Sequence, residues 1–362
     1  MCNYTLNPCR GLILGRKVSL THGMLVIDVT QLVGIVTHPI TTAPSIPFLR
    51  HDDPKKFGLD GARNMYIKFD SNVDNCPIDI GVWHALPKSL VKKHRFQLNN
   101  GTKDELNRLF EDELRNSEYP IFLYLHGILL TRAAEYRIAA YNLLQNLDAH
   151  VITFDYRGFG DSTNLTPSKI GFVEDSLIIY SWIRSIVGNE RPVFIWGHSV
   201  GSGIAQRAFS KLKIFSHTLL GLKVPLPPPQ GIVVEGGFNS NVDLSRDYIV
   251  AKIFDWWPFA ARMIRHTMMG SDFRLIPENY AKALRQYPML ILHSRDDSII
   301  PYRFGKTSFI IHSSIIYSFF HHSFILPSSF INHFFLLFIH HSSVQLPRNM
   351  DFIKQSIGEK LQ

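Results

Sequence analysis

Four short, wholly apolar runs recur through the chain, Ile121 to Leu125, Val193 to Trp196, Ile232 to Val234 and Met289 to Leu292, and a fifth, Val151 to Phe154, is apolar but for Thr153. A strand with apolar side chains on both faces must be covered on both faces, which a helix-flanked parallel sheet achieves. The stretches between them are helical in pattern. Ala133 to Leu147 reads as a helix, and Val173, Leu177, Tyr180, Ile183 and Val187 recur at three- and four-residue steps, the stripe of a helix packed on a sheet. Strand, helix, strand in this rhythm predicts an α/β fold with a mostly parallel sheet. Upstream, Tyr66 to Phe69 and Ile78 to Leu86 read as strands around a turn at Asp74, Asn75 and Pro77, and Thr102 to Arg115 as an exposed helix.

Composition narrows the function classes. With 362 residues, 45% apolar, the chain can bury a large core and is too apolar to be disordered. Its three cysteines, Cys2, Cys9 and Cys76, cannot build a disulfide framework. The formal charge is +8, but there is no zinc-finger spacing or RNA-binding signature, so no nucleic acid partner is expected. The basic run Lys88 to Arg95 reads as a solvated face, with a membrane or phosphate patch as the alternative. No run of about 18 clean apolar residues occurs, nor an N-terminal basic, apolar and small-residue succession. On these grounds the chain reads as soluble. Neither a cofactor nor a metal is expected.

The chain divides into an irregular extension over 1–60, a core over 61–306 and two unusual segments. About 238–287 is an insertion rich in Trp, Phe and Met, suited to a lid or cap over a pocket. Residues 307–347 hold eight Phe, six His and nine Ser but no Asp, Glu, Lys or Arg. They show no period of 2 or 3.6, and Pro327 interrupts the most apolar part. The stretch 307–345 therefore reads as a low-complexity insertion or a gene-model artefact, with a membrane-associated hairpin as the weaker reading, and 346–362 as a C-terminal helix.

Gly197-His198-Ser199-Val200-Gly201 carries the chemistry. It follows an apolar strand and opens a helix of small residues, the context of a strained strand-to-helix turn that exposes a serine Oγ. That turn leaves the Val200 N–H at the helix mouth, where it can donate to an oxyanion. His126-Gly127-Ile128 directly follows the first apolar run, so the Ile128 N–H is the second expected oxyanion donor. The acid should follow the serine in the chain. Asp297, after Met289 to Leu292 and before Ile299, Ile300 and Pro301, is favoured over Asp296, with Glu235 as a competing carboxylate and turn capping as the bland alternative. Arg157 paired with Asp161 would brace the loop after Val151 to Phe154 in an architectural role. The proton-accepting histidine must lie beyond Asp297. His312, His321, His322, His333, His340 and His341 qualify by position only.

Several segments together resemble the membrane-associated α/β-hydrolase domain lipases that act on monoacylglycerols and lysophosphatidylserine. They are Ile80-Gly-Val-Trp-His84, Leu123-Tyr-Leu-His-Gly127, Thr131-Arg132, Val151-Ile-Thr-Phe-Asp-Tyr-Arg-Gly158, Ile195-Trp-Gly-His-Ser199, Ile291-Leu-His293 with Asp296-Asp297, and Leu346-Pro-Arg348. The resemblance implies an α/β-hydrolase fold with a cap insertion, Ser199 as nucleophile and Asp297 as triad acid. It also implies lipid ester substrates, a membrane surface as partner and an endoplasmic-reticulum membrane location.

The family has an N-terminal membrane helix that this sequence does not show, and two further departures fall near the expected site. Ile128-Leu129-Leu130 stand where the family has Asn and small residues. Counting back from Leu346 puts the family's catalytic histidine at about Leu337, flanked by His333 and His340, so the C-terminal part of the fold reads as disrupted. The expected function is serine-dependent cleavage of acyl esters of monoacylglycerol or lysophospholipid type. The alternatives are a catalytically impaired hydrolase-fold protein or aberrant isoform lacking the triad histidine, and a palmitoyl-protein thioesterase.

Overall fold

The computed structural model describes residues 51–128, 130–238, 280–295, 297, 300–304 and 315–319. Eight strands form one sheet in the order β1-β2-β4-β3-β5-β6-β7-β8. β1 (Ala62–Asp70) and β2 (Pro77–Ala85) make an antiparallel hairpin whose turn places Asn75 at φ 52°, a left-handed position that asparagine tolerates. β2 pairs antiparallel with β4 (His150–Phe154). β3 (Ile121–Leu125), β5 (Val193–His198), β6 (Gly231–Glu235), β7 (Met289–Ser294) and β8 (Ile315–Phe319) continue the sheet in parallel.

Helices cover both faces. α1 (Lys88–Lys93), α2 (Arg95–Asn100) and α3 (Lys103–Asn116) follow β2; α4 (Glu135–Asn146) joins β3 to β4, and α5 (Lys169–Val187) joins β4 to β5. α6 (Val200–Ser210) and α7 (Leu212–Thr218) lead to β6, and the short α8 (Ala281–Leu284) precedes β7. Alternation along the strands sends Leu123, Ile195, Ile232 and Ile291 toward α5 and α6, where they meet Leu177, Ile183, Ala205 and Phe209. Their neighbours Phe122, Tyr124, Phe194, Trp196 and Val233 face the other way, onto Ile138, Tyr141 and Leu144 of α4. Each such buried side chain contributes about 1.5–3 kcal/mol of transfer free energy. α3 is polar outside, but Phe110 and Leu114 anchor it, and Thr102 with Glu105 forms a reciprocal capping box at its start.

The brace after β4 differs from the Arg157–Asp161 pairing expected from sequence. Gly158 and Gly160, at φ 80° and 52°, turn the chain between the two residues so that their side chains part. Arg157 turns to α5, donating to Asp175 at 2.6 Å and Glu174 at 2.6 Å, and also pairs with Asp74 of the hairpin turn. Asp161 instead receives Arg132 at 2.6 and 2.9 Å, and Arg132 also bonds Asp155. Both guanidiniums are fully buried yet multiply paired, the condition under which a buried charge is tolerated.

In the segment read as low complexity, Ile315–Phe319 supplies β8, pairing in parallel with Leu290 to Ser294. The run Ile-Ile-Tyr-Ser-Phe has strand-favouring residues, and the open edge of β7 provides the partner that no local periodicity announces. The sheet thus continues past the point where the sequence pattern breaks. The extension up to residue 50, the insertion over 239–279 and the C-terminal helix expected over 346–362 lie outside the described residues.

Candidate active site

Ser199 caps the N-terminus of α6 at φ 54°, ψ −121°, a conformation costing a non-glycine residue about 1–3 kcal/mol. Its surroundings hold it there. The Ser199 N–H donates to the Glu235 carbonyl at 2.9 Å, and the Ser199 carbonyl accepts from the Ser202 N–H at 2.9 Å and the Ser202 hydroxyl at 2.6 Å. The tight crossing of β5, β3 and α6 also requires missing side chains. A Cβ on Gly197 would lie 2.6 Å from the Gly201 carbonyl oxygen, and one on Gly201 would lie 2.1 Å from that of Leu125. The turn aims the start of α6 at the strand ends, and the Val200 N–H has no acceptor among the described residues.

The loop after β3 presses on this turn. A Cβ on Gly127 would come within 3.0 Å of the Ser199 Cβ and 3.4 Å of His198 Nδ1. Ile128 follows, half-buried, and its N–H also has no acceptor among the described residues. Leu130 sits at φ 62° and is 46% exposed.

Asp297 lies after β7, close to the same strand ends. Its Oδ1 accepts from the Ile300 N–H at 2.8 Å, so the turn-capping role exists, and its Oδ2 is 3.7 Å from His293 Nε2. Gly236 packs beside it, an added Cβ there lying 3.9 Å from Oδ2. The competing carboxyl, Glu235, is one residue before Gly236 and accepts from Trp196 Nε1 at 2.7 Å. Burial pushes Glu235 up to about 7; the Trp196 bond opposes this rise and the Asp297 charge adds to it. Asp296 lies outside the described residues.

Three histidines border the site, and burial lowers all three. His198, beside the serine, is held down to about 3 by burial, with Arg137 and His126 adding, and its ring lies edge-on to Tyr136 at 5.8 Å. His126 contacts the Gly127 carbonyl through Nδ1 at 2.7 Å and Asp155 through Nε2 at 3.3 Å. His293 Nε2 bonds the Ile300 carbonyl at 2.7 Å. The sequence candidates His333 and His340, like His312, His321, His322 and His341, lie outside the described residues. The structure therefore brings Ser199, Val200, Gly127, Ile128 and Asp297 to one end of the sheet.

Arg137, on the first turn of α4, is the participant that sequence reasoning missed. It donates to the Gly127 carbonyl at 3.0 Å and the Thr131 carbonyl at 2.5 Å. An arginine on a helix has no motif; only its full burial betrays it.

Residues 120–257 match the family described as the alpha/beta hydrolase fold. The lysophosphatidylserine lipase of Gallus gallus is 33% identical over 253 residues, 70% of this chain and 59% of that protein. The lysophosphatidylserine lipase of Rattus norvegicus is 32% identical over 259 residues, covering 72% of this chain and 58% of its own. The matched region thus spans a little under three-fifths of the length of these relatives. Among solved structures, an alpha-beta hydrolase from Vibrio vulnificus superposes with a TM-score of 0.58 at 12% identity, covering 90% of this chain and 98% of its own. An esterase from Pyrococcus furiosus gives 0.54 at 14% identity, covering 80% and 94%.

Proposed function

The chain belongs to the α/β-hydrolase family, and from that premise we propose that it is a serine hydrolase cleaving acyl esters of monoacylglycerol or lysophospholipid type, lysophosphatidylserine among them. The observation that carries the proposal is Ser199 itself, a non-glycine residue at φ 54° where β5 becomes α6, packed against Gly127. Such strain persists where the surrounding structure enforces it, and it clusters at reactive positions.

In the proposed reaction Ser199 Oγ attacks the acyl carbonyl while a histidine imidazole takes its proton. That histidine is contributed from beyond Asp297, with His333 and His340 as the candidates, and Asp297 orients it. The N–H groups of Ile128 and Val200 receive the oxyanion, each such donor supplying about 2.7–4 kcal/mol at the transition state. The imidazolium then protonates the departing glycerol-side alcohol, and water cleaves the acyl-enzyme. The lipase relatives support a lipid ester as substrate. The same resemblance extends the proposal to a membrane surface and to the endoplasmic reticulum. No described helix is long and apolar enough to cross a membrane.

A fluorophosphonate probe tests the proposal. Wild-type protein is expected to be labelled at Ser199, and Ser199→Ala is not. A folded wild type that stays unlabelled overturns the proposal and leaves an inert hydrolase-fold scaffold. Faster turnover of palmitoyl thioesters than of glycerol esters replaces the lipase assignment with a thioesterase.

A further inference from the structure

The Ile128 N–H can serve an oxyanion only if the peptide joining Gly127 to Ile128 keeps one orientation. Glycine makes that hard to guarantee, because a Gly-X peptide plane rotates with little steric penalty. The peptide is planar and trans, so the Gly127 carbonyl and the Ile128 N–H point in opposite directions. Whatever holds the carbonyl therefore aims the N–H.

Two donors hold it on the buried side: Arg137 Nη2 at 3.0 Å and His126 Nδ1 at 2.7 Å. The same guanidinium reaches the Thr131 carbonyl through Nη1 at 2.5 Å, so one planar fork holds two carbonyls that flank Ile128 in the chain. Charge-assisted bonds from a fixed fork are about twice as strong as neutral ones. Arg137 is fully buried, and its guanidinium lies 5.1 Å from the Tyr136 ring centroid, which restricts its swing. A Cβ on Gly127 would lie 3.0 Å from the Ser199 Cβ, so the residue that opens this peptide packs directly on the serine.

We propose that Arg137 is a positioning residue that fixes the Gly127–Ile128 peptide with its N–H turned toward Ser199, presetting the oxyanion site. This rests on the reading of Ser199 as nucleophile. Without the fork the peptide is free to flip, presenting a carbonyl oxygen to the developing negative charge.

The test is the kinetics of fluorophosphonate labelling on the full chain. Arg137→Met is expected to lower the maximal labelling rate by about 10²-fold, the effect of losing one oxyanion donor, with the half-saturating probe concentration unchanged. Arg137→Lys, which keeps the buried cation but has no planar fork, is expected to label at an intermediate rate and serves if the Met variant does not fold. A purely structural role lowers the melting temperature while leaving the rate per folded molecule intact. Either folded variant labelling at the wild-type rate overturns the proposal. So does an Ile128 amide proton, followed in wild type selectively labelled with ¹⁵N-isoleucine, that fails to shift when the phosphonyl adduct forms. An unlabelled wild type is a different outcome, which removes the hydrolase reading itself.

Discussion

Ser199 and Glu235 are joined through the backbone, the serine N–H donating to the glutamate carbonyl at 2.9 Å across the β5–β6 pair. The strained turn is thus tied to the neighbouring strand. Holding Ser199 at φ 54° has a thermodynamic consequence. Ser199→Gly should unfold at higher denaturant than Ser199→Ala, by about 1 kcal/mol, because glycine occupies that conformation without a Cβ penalty. Both variants should lose probe labelling, and equal midpoints would mean the turn carries no strain.

The side chain of Glu235 makes a separate prediction. Its carboxyl is raised from the usual value to about 7, chiefly by burial. The folded protein then binds a proton that the unfolded chain has already released, so stability falls as pH rises from about 4.5 to about 7 and levels off above. Glu235→Gln keeps an acceptor for Trp196 and cannot ionise. It should gain about 1–2 kcal/mol at pH 8 relative to wild type and little at pH 5. Urea midpoints at the two pH values measure this, and an equal gain at both would refute it.

A pair of buried histidines acts in the opposite direction. His84 Nε2 and His150 Nδ1 lie 3.0 Å apart, and Ser117 Oγ is 2.8 Å from His150 Nε2. Burial holds His150 down to about 3, with Arg191 adding. His84 is also lowered, by burial first and then by His150 and Arg63. Both stay neutral while their unfolded counterparts protonate, so their contribution is present above about pH 6.5 and lost as pH falls. Each costs up to about 1.4 kcal/mol per pH unit below that value. His150→Gln should flatten the decline in melting temperature between pH 6.5 and 4.5, and an unchanged slope would exclude the pair as its source.

The corrected brace can be tested by coupling. Asp161 bonds Arg132, and Arg157 bonds Glu174 and Asp175. A double-mutant cycle of Arg132→Met with Asp161→Asn should show a coupling of about 1 kcal/mol or more, whereas Arg157→Met with Asp161→Asn should be additive within about 0.5 kcal/mol. Arg157→Met alone should cost about 3–5 kcal/mol, since it strands buried carboxylates. The reverse pattern of coupling would restore the pairing read from sequence.

Much of this molecule is legible along the chain because its information is local. Short runs apolar at nearly every position, such as Ile121 to Leu125, suit strands covered on two sides, and all five of those runs are strands. The Gly-x-Ser-x-Gly turn is equally local: Gly197 and Gly201 must lack side chains for the chain to bend there, so composition and geometry coincide. Partnerships across the fold are another matter. Arg157 and Asp161 are four residues apart and of opposite charge, yet two left-handed glycines send them to different partners. β8 arises inside a stretch without periodicity because an exposed sheet edge selects it.

By itself, then, the sequence determined the layered α/β architecture and the place of the bent serine, since both follow from side-chain size and periodicity over a few residues. Only the tertiary structure decided which charges meet, that the Glu235 carboxyl lies beside Asp297 in a site that raises its proton affinity, and that Arg137 grips the Gly127 carbonyl. Those outcomes depend on burial and on angles between elements distant in the chain, and they exist only once the helices have closed over the sheet.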